Sequence, residues 1–163
     1  MSSADALLSD DDLRYLHASI DVAARARAKG NHPFGALLVT EDGIVLEGEN
    51  TVVTEKDPTG HAETNLVRIA GRELSEAQLA GSTMYASTEP CAMCAGATYW
   101  SGIGRLVFAL AGTDLAAIVP VGSADQTIKM PSREVLARGQ RQVEVVGPVG
   151  LQEARDVHAD FWH

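Results

Sequence analysis

The chain has 163 residues, 45% of them hydrophobic, and a formal net charge of −9 at pH 7. This length and apolar content favour one globular domain over residues 1–163, because such a chain can bury a core without metal or disulfide support. The negative charge repels polyanions, so a small neutral ligand is favoured over nucleic acid. The apolar stretches are far shorter than the roughly 20 residues that span a bilayer, and the N-terminus lacks a secretory signal pattern. We therefore expect no membrane contact and a cytoplasmic location.

The first half of the chain predicts a helix, a hairpin and a second helix. Ser9 precedes three aspartates and then apolar residues at helical spacing, a pattern that predicts a capped helix over residues 10–29. Two β-rich runs, residues 34–40 and 44–49, are separated by an Asp-Gly step and predict an antiparallel pair of strands. A Pro-Thr-Gly loop follows, and apolar periodicity then predicts a helix that begins near His61.

The second half predicts alternating strands and helices. Strands are predicted over residues 83–88, 105–110 and 142–146, and helices over residues 91–100, 132–138 and 151–161. Residues 112–131 show no clear pattern and receive no assignment. Strands that alternate with helices are typical of α/β proteins, here with an antiparallel hairpin followed by parallel crossovers. We therefore predict an α/β sandwich around a mixed sheet.

Two short motifs carry the chemistry, HAE at residues 61–63 and PCAMC at residues 90–94, each at the start of a predicted helix. Cys91 and Cys94 are three residues apart, so their thiols face the same side of the helix, and the helix dipole favours their thiolate forms. With His61 they supply three ligands for one Zn²⁺ per chain and leave a fourth position for water, as in catalytic zinc sites.

Glu63 lies next to this ligand set without being needed to complete it. A carboxylate in that position would shuttle a proton from water to a ring nitrogen and then to the departing amine. HxE combined with PCxxC is the signature of zinc-dependent nucleobase deaminases. The two motifs therefore predict hydrolysis at an amidine carbon, which yields a carbonyl compound and ammonia.

A redox pair and a structural zinc site are simpler explanations of a CxxC spacing. A thioredoxin-like pair needs no HxE motif on another helix. A structural site needs a fourth protein ligand, and the remaining histidines stand in no ligand spacing with the motifs. These histidines are His17, His32, His158 and His163. Catalysis is the favoured interpretation, and a non-catalytic, zinc-stabilised module is the alternative.

Residues 31–110 resemble the cytidine deaminase-like superfamily, in the branch of bacterial guanine deaminases, tRNA adenosine deaminases and fungal cytosine deaminases. Beyond the zinc motifs, the resemblance rests on HPFGA at 32–36, GEN at 48–50, DPTG at 57–60, STE at 87–89 and GATYW at 96–100. It implies a three-layer α/β/α sandwich with a five-stranded mixed sheet. It also implies a homodimer, and an active site at the N-termini of the two motif-bearing helices.

The same resemblance implies substrate contacts. Asn50 would bond the ring through its amide, Phe34 would stack on the base, and the Ala62 backbone N–H would contact a ring carbonyl. The other implied contacts are Thr88 and Glu89 through their backbone, and Trp100, Asp114, Phe161 and Trp162. Each also has an ordinary structural explanation, such as a turn for the asparagine or core packing for the rings.

The motifs favour guanine as the substrate, with cytosine or a related base open. Where guanine deaminases continue into a Gly-Phe-Asp-Asp type segment, this chain has Asp114 followed by a different run over residues 115–122. The acidic contact to a purine is therefore not secured. The runner-up is a tRNA-specific adenosine deaminase, which would need a basic surface that the net charge does not favour.

Overall fold

The computed structural model describes residues 8–120 and 127–163. In that part of the chain the strands are β1 (Gly35–Val39), β2 (Val45–Glu49), β3 (Thr83–Thr88), β4 (Arg105–Leu110) and β5 (Glu144–Val146). The helices are α1 (Asp10–Ala28), α2 (Ala62–Glu73), α3 (Glu76–Ala80), α4 (Ala92–Trp100), α5 (Gly112–Ile118), α6 (Ser132–Ala137) and α7 (Gln152–Asp156). One five-stranded sheet has the order β2-β1-β3-β4-β5. β1 runs antiparallel to β2 and β3, whereas β3, β4 and β5 are parallel.

Successive residues of the central strands face opposite sides of the sheet and build two apolar cores. Ala36 and Leu38 pack with α2 residues such as Leu66, whereas Leu37 packs with α1 residues such as Leu16. Helices α1 and α7 cover one face, and α2, α4 and α6 cover the other. The three-layer α/β/α sandwich with a mixed five-stranded sheet is therefore confirmed.

The predicted elements agree with the structure to within two residues at most ends. The terminal helix is the exception: it ends at Asp156 rather than near residue 161, and the chain continues in turns, with Asp160 at a φ of 58°. Helices α3 and α5 are not among the elements predicted from the sequence. The Ser75–Gln78 capping box at the start of α3 is a sequence signal that indicates this helix. Residues 121–126 of the unassigned stretch lie outside the described residues. None of the described helices is long and apolar enough to cross a membrane.

A buried ion-pair network ties the start of α1 to the sheet. Asp12 is 4% exposed and accepts hydrogen bonds from Arg105 at 2.7 and 3.0 Å and from the Tyr85 hydroxyl at 2.7 Å. It also completes a capping box with Ser9. Burial alone would raise the pKa of Asp12, but these hydrogen bonds and the Arg105 charge hold that pKa well below its usual value. The folded state therefore strongly favours the ionised carboxylate.

We expect Asp12→Asn to lower the free energy of unfolding at pH 7 by about 3 kcal/mol, because it removes the buried carboxylate that forms an ion pair with Arg105. A carboxyl whose pKa is depressed by folding contributes stability above its unfolded pKa and loses it as the pH falls through and below about 4. Urea unfolding at pH 7 and at pH 3 should therefore show a smaller difference between wild type and variant at pH 3. Asp11→Asn, which changes an exposed acid in the same helical turn, is the control. A constant difference at both pH values would contradict this role of Asp12.

Candidate active site

The two motifs lie at the N-termini of α2 and α4, on the same side of the sheet. His61 is the N-cap of α2 and Cys91 is the N-cap of α4, and neither side chain makes a capping hydrogen bond. Ser, Thr, Asp and Asn are preferred at this position and stabilise a helix by about 1 kcal/mol relative to non-capping residues. Both helices therefore lack the stabilisation of an N-cap side chain. Such a departure from the locally preferred residue is typical of functional sites.

Three ligand atoms meet between these helix ends. The His61 Nδ1 atom lies 3.6 Å from the Cys91 Sγ and 3.4 Å from the Cys94 Sγ, and all three ligand atoms lie within 4.8 Å of one another. A tetrahedral zinc ion with ordinary Zn–N and Zn–S bonds separates its nitrogen and sulfur ligands by about 3.6 Å. His61, Cys91 and Cys94 are therefore positioned as a zinc site with a fourth position free of described protein ligands.

The pKa values of the two thiols are shifted in opposite directions. Hydrogen bonding from Cys94, followed by the influence of His61, lowers the pKa of Cys91 to about 4 despite its partial burial. The neighbouring Cys91 and burial raise the pKa of Cys94. The contact with Cys91 also raises the pKa of His61. The surroundings of Cys91 therefore favour its thiolate, the form in which a cysteine binds zinc.

Glu63 projects into the same space from the first turn of α2. It is 5% exposed, and its interaction with the Cys94 thiol only partly offsets the effect of burial on its pKa. Burial raises the pKa of Glu63 above that of an ordinary glutamate. A carboxyl group with a raised pKa, held beside a metal site, is suited to accepting and returning a proton.

Loop contacts hold the start of α2 against the sheet. The Asn65 amide donates to the Glu49 carbonyl at 2.8 Å and to the Thr51 hydroxyl at 2.9 Å. A Cβ added to Gly48 would lie 2.4 Å from the Ala62 carbonyl oxygen, so only glycine allows β2 to approach this closely. The buried side chain of Asn31 accepts from the backbone N–H groups of residues 53 and 54. The motifs alone did not indicate these supporting roles of Asn31 and Asn65.

The C-terminal turn brings aromatic rings to the loop before β1. We name the group formed by His32, Phe34, His158, Phe161 and Trp162 the C-terminal aromatic cluster. Within it, ring centroids lie 5.2 Å apart for His32 and Trp162, 5.3 Å for Phe34 and His158, and 6.1 Å for Phe34 and Trp162. The Trp162 indole N–H donates to His158 Nδ1 at 3.1 Å. Three residues predicted as substrate contacts, Phe34, Phe161 and Trp162, are thus brought together.

Among three further predicted contacts, the side chains of Asn50 and Glu89 have identifiable hydrogen-bond partners. The Asn50 side chain accepts from the Val52 backbone N–H at 3.1 Å, which is a turn interaction. The Glu89 carboxylate accepts from the Gly112 and Ser132 backbones at 3.0 Å, so it ties α5 and α6 to the end of β3. The Thr88 hydroxyl is buried and has no hydrogen-bond partner among the described residues. Of the three, Thr88 is the one with a fully buried side-chain polar atom that has no partner among the described residues.

The surroundings of two predicted contacts, Trp100 and Asp114, include none of the three metal ligands. Trp100 is 86% exposed and ends α4, about 12 Å along the helix from Ala92 beside the ligand Cys91. Asp114 faces Arg155 at 3.6 Å, and it lines a hollow of about 240 Å³ whose other residues include none of the ligands. The sequence could not anticipate either placement, because both depend on how separate helices pack.

Comparisons with known proteins identify the family. Residues 9–110 match the model of the cytidine and deoxycytidylate deaminase zinc-binding region. The chain is 39% identical over 162 residues to a probable cytosine deaminase of Schizosaccharomyces pombe, covering 99% of this chain and 98% of the relative. It is 32% identical over 155 residues to the tRNA-specific adenosine deaminase of Bacillus subtilis, covering 95% and 90% of the two chains.

A solved structure agrees with these matches. The guanine deaminase of Nitrosomonas europaea is similar with a TM-score of 0.74 and 25% identity, covering 92% of this chain and 83% of that chain. The predicted superfamily and branch are therefore confirmed, and so is the reaction class. The chain belongs to the cytidine and deoxycytidylate deaminase family, and it is a zinc-dependent hydrolytic deaminase of nucleobase-like substrates.

Proposed function

We propose that this protein deaminates a small free base, with cytosine as the leading substrate, through a zinc ion held by His61, Cys91 and Cys94. One observation supports the proposal above all: the three ligand atoms lie close together at two helix N-termini, and the buried Glu63 lies on the first turn of one of these helices. In the reaction, water adds to the ring carbon that bears the amine, and the bond from this carbon to the exocyclic amine nitrogen breaks. The products are a carbonyl compound and ammonia.

The residues of the chain divide this chemistry between them. Zinc, when bound, supplies a Lewis acid that makes water acidic near pH 7. Glu63 accepts a proton from water and delivers it to the ring nitrogen, and it then moves the proton of the added hydroxyl group to the departing amine. In this proposal the Ala62 backbone N–H, at the first residue of α2, and the Asn50 amide orient the base. Phe34 supplies a stacking face, and the Thr88 hydroxyl offers an unused polar atom.

The C-terminal region favours a single-ring base over guanine. The S. pombe relative matches along the whole chain, including the segment that carries Phe161 and Trp162. Asp114, the acid considered for a purine contact, is engaged with Arg155 outside the ligand cluster. Guanine is the second candidate, supported by the similarity to the N. europaea enzyme.

Ammonia release by the purified, zinc-loaded protein tests the substrate. We expect turnover with cytosine that exceeds turnover with guanine, guanosine, adenine and an adenosine-containing tRNA stem-loop. If the protein turns over guanine alone, guanine and not cytosine is its substrate. Activity restricted to the stem-loop would overturn the small-base proposal, and silence on every compound would contradict the proposed function.

We further propose that residues 1–163 form one deaminase domain that acts in the cytoplasm. Both cysteines of the chain belong to the ligand set, and a reducing compartment keeps them available for metal. Fractionation of cells that express the full chain, followed by immunodetection, tests the location.

A homodimer through α4 is the final part of the proposal. Met93 and Trp100 lie on one side of α4 and are 38% and 86% exposed. Large apolar side chains grouped in this way are typical of a protein interface. A second copy seated on this face would cover Trp100.

We expect Trp100→Glu to convert the dimer into a monomer, because a buried unpaired charge opposes association. Light scattering coupled to size-exclusion chromatography measures the change in mass. Val53→Glu alters another exposed apolar residue, on the loop between β2 and α2, and should leave the dimer intact. A monomeric wild type, or a dimeric Trp100→Glu variant, would contradict the proposed interface.

A further inference from the structure

One polar ring in the C-terminal aromatic cluster, that of His32, makes no hydrogen bond within the described part of the chain. His32 is half-buried, and its ring centroid lies 5.2 Å from that of Trp162 and 6.0 Å from that of Phe161. Neither ring nitrogen of His32 has a hydrogen-bond partner among the described residues. The rings of Phe161 and Trp162 pack against the imidazole but make no hydrogen bond to it.

The loop of His32 is tied to the loop that carries the ligand His61. The Asn50 N–H donates to the Phe34 carbonyl at 3.2 Å, and the next residue, Thr51, donates from its N–H to the Gly60 carbonyl at 2.9 Å. Two adjacent residues therefore connect the start of β1 with the start of α2. This places the His32 loop at the edge of the candidate active site.

The charge state of His32 suits it to a neutral ligand. Burial, together with the nearby charge of His61, lowers the pKa of His32. The ring is therefore neutral near pH 7, and it carries one N–H donor and one acceptor nitrogen. A neutral donor can bind a carbonyl oxygen of a base without the cost of desolvating a full charge.

The rest of the cluster cannot supply the same contact. The Trp162 indole N–H is committed to His158 Nδ1. The His158 Nε2 atom has no partner, but it is enclosed by the protein and the residue is only 1% exposed. His32 is thus the cluster residue whose free polar atoms a ligand can reach.

We infer that His32 is a substrate-binding residue, which donates a hydrogen bond from its imidazole to a ring carbonyl of the base held beside Phe34. The inference rests on the proposed function and extends it, since it assigns recognition of the carbonyl to a residue outside the zinc motifs. Ligand pockets are mostly apolar, and a small number of polar groups fix the orientation of the ligand. When a protein loses such a polar group, it discriminates less between a ligand that carries the matching carbonyl and a ligand that lacks it.

Paired substrates test the contact directly. Cytosine and 4-aminopyrimidine present the same amine-bearing carbon, but only cytosine has the ring carbonyl. We expect His32→Phe to lower kcat/KM for cytosine roughly three- to tenfold, mainly through KM, and to change the value for 4-aminopyrimidine little. His17→Phe, which alters an exposed histidine of α1, is the control and should leave both values unchanged.

The outcomes separate the inference from the proposed function. If wild type deaminates cytosine and His32→Phe leaves the ratio of the two kcat/KM values unchanged, the inference is wrong and the proposed function stands. If wild type deaminates no base, the proposed function fails, and nitrogen-15 NMR of histidine-labelled, zinc-loaded protein decides the inference. A shift of the His32 ring N–H signal on addition of pyrimidin-2-one supports the contact, and an unmoved signal overturns it. The same NMR measurement decides the question if His32→Phe fails to fold.

Discussion

Replacing Glu63 by glutamine is expected to lower kcat/KM by roughly 10²- to 10⁴-fold while zinc binding is retained, because the change removes a proton shuttle and no metal ligand. Glutamine has the shape of glutamate and no charge to bury. Since burial already raises the pKa of Glu63, the variant should fold at least as well as wild type. Ammonia release, zinc content and the thermal midpoint, measured on the same preparation, check the three parts of this prediction.

Glu73→Gln is the matched control for Glu63→Gln. Glu73 is the last residue of the same helix and is exposed, so its replacement should leave turnover unchanged. Turnover of the Glu63→Gln variant within tenfold of wild type would contradict the assignment of Glu63 as the proton shuttle. Such a result would favour the alternative of a zinc-stabilised module whose function is not deamination.

Replacing Cys91 by alanine should release the zinc ion and abolish deamination. Two protein ligands remain in that variant, and a site that loses a thiolate loses a large part of its affinity for zinc. The fold should persist, because the apolar cores on the two faces of the sheet contain none of the three metal ligands. Elemental analysis after dialysis gives the zinc content, and circular dichroism gives the fold.

Thr98→Val is the control for Cys91→Ala. Thr98 is buried on the same helix and makes a hydrogen bond to the Cys94 carbonyl, but it offers nothing to the metal. It should keep one zinc ion per chain and show a lower thermal midpoint as the only change. One zinc ion retained per chain in Cys91→Ala would rule out Cys91 as a ligand.

Local sequence spacing determined much of this protein. The Ser9 capping signal, the Asp-Gly hairpin and the alternation of the strands each depend on residues within a few positions, and all of them appear in the structure. The side-by-side placement of Cys91 and Cys94 is equally local, because a helix brings residues three apart onto one face. These features predicted the fold class and the reaction class.

The tertiary structure decided which distant residues share the site. His61 meets Cys94 across 33 positions because β1 and β3 are neighbours in the sheet and α2 packs beside α4. The terminal helix is shorter than its pattern predicted, and the turn after it brings Trp162 to His32. Trp100 shares its helix with the zinc motif yet lies at the far end of it. Periodicity records which face of an element is buried, but the contacts between elements depend on strand order and helix packing, which no short stretch of sequence specifies.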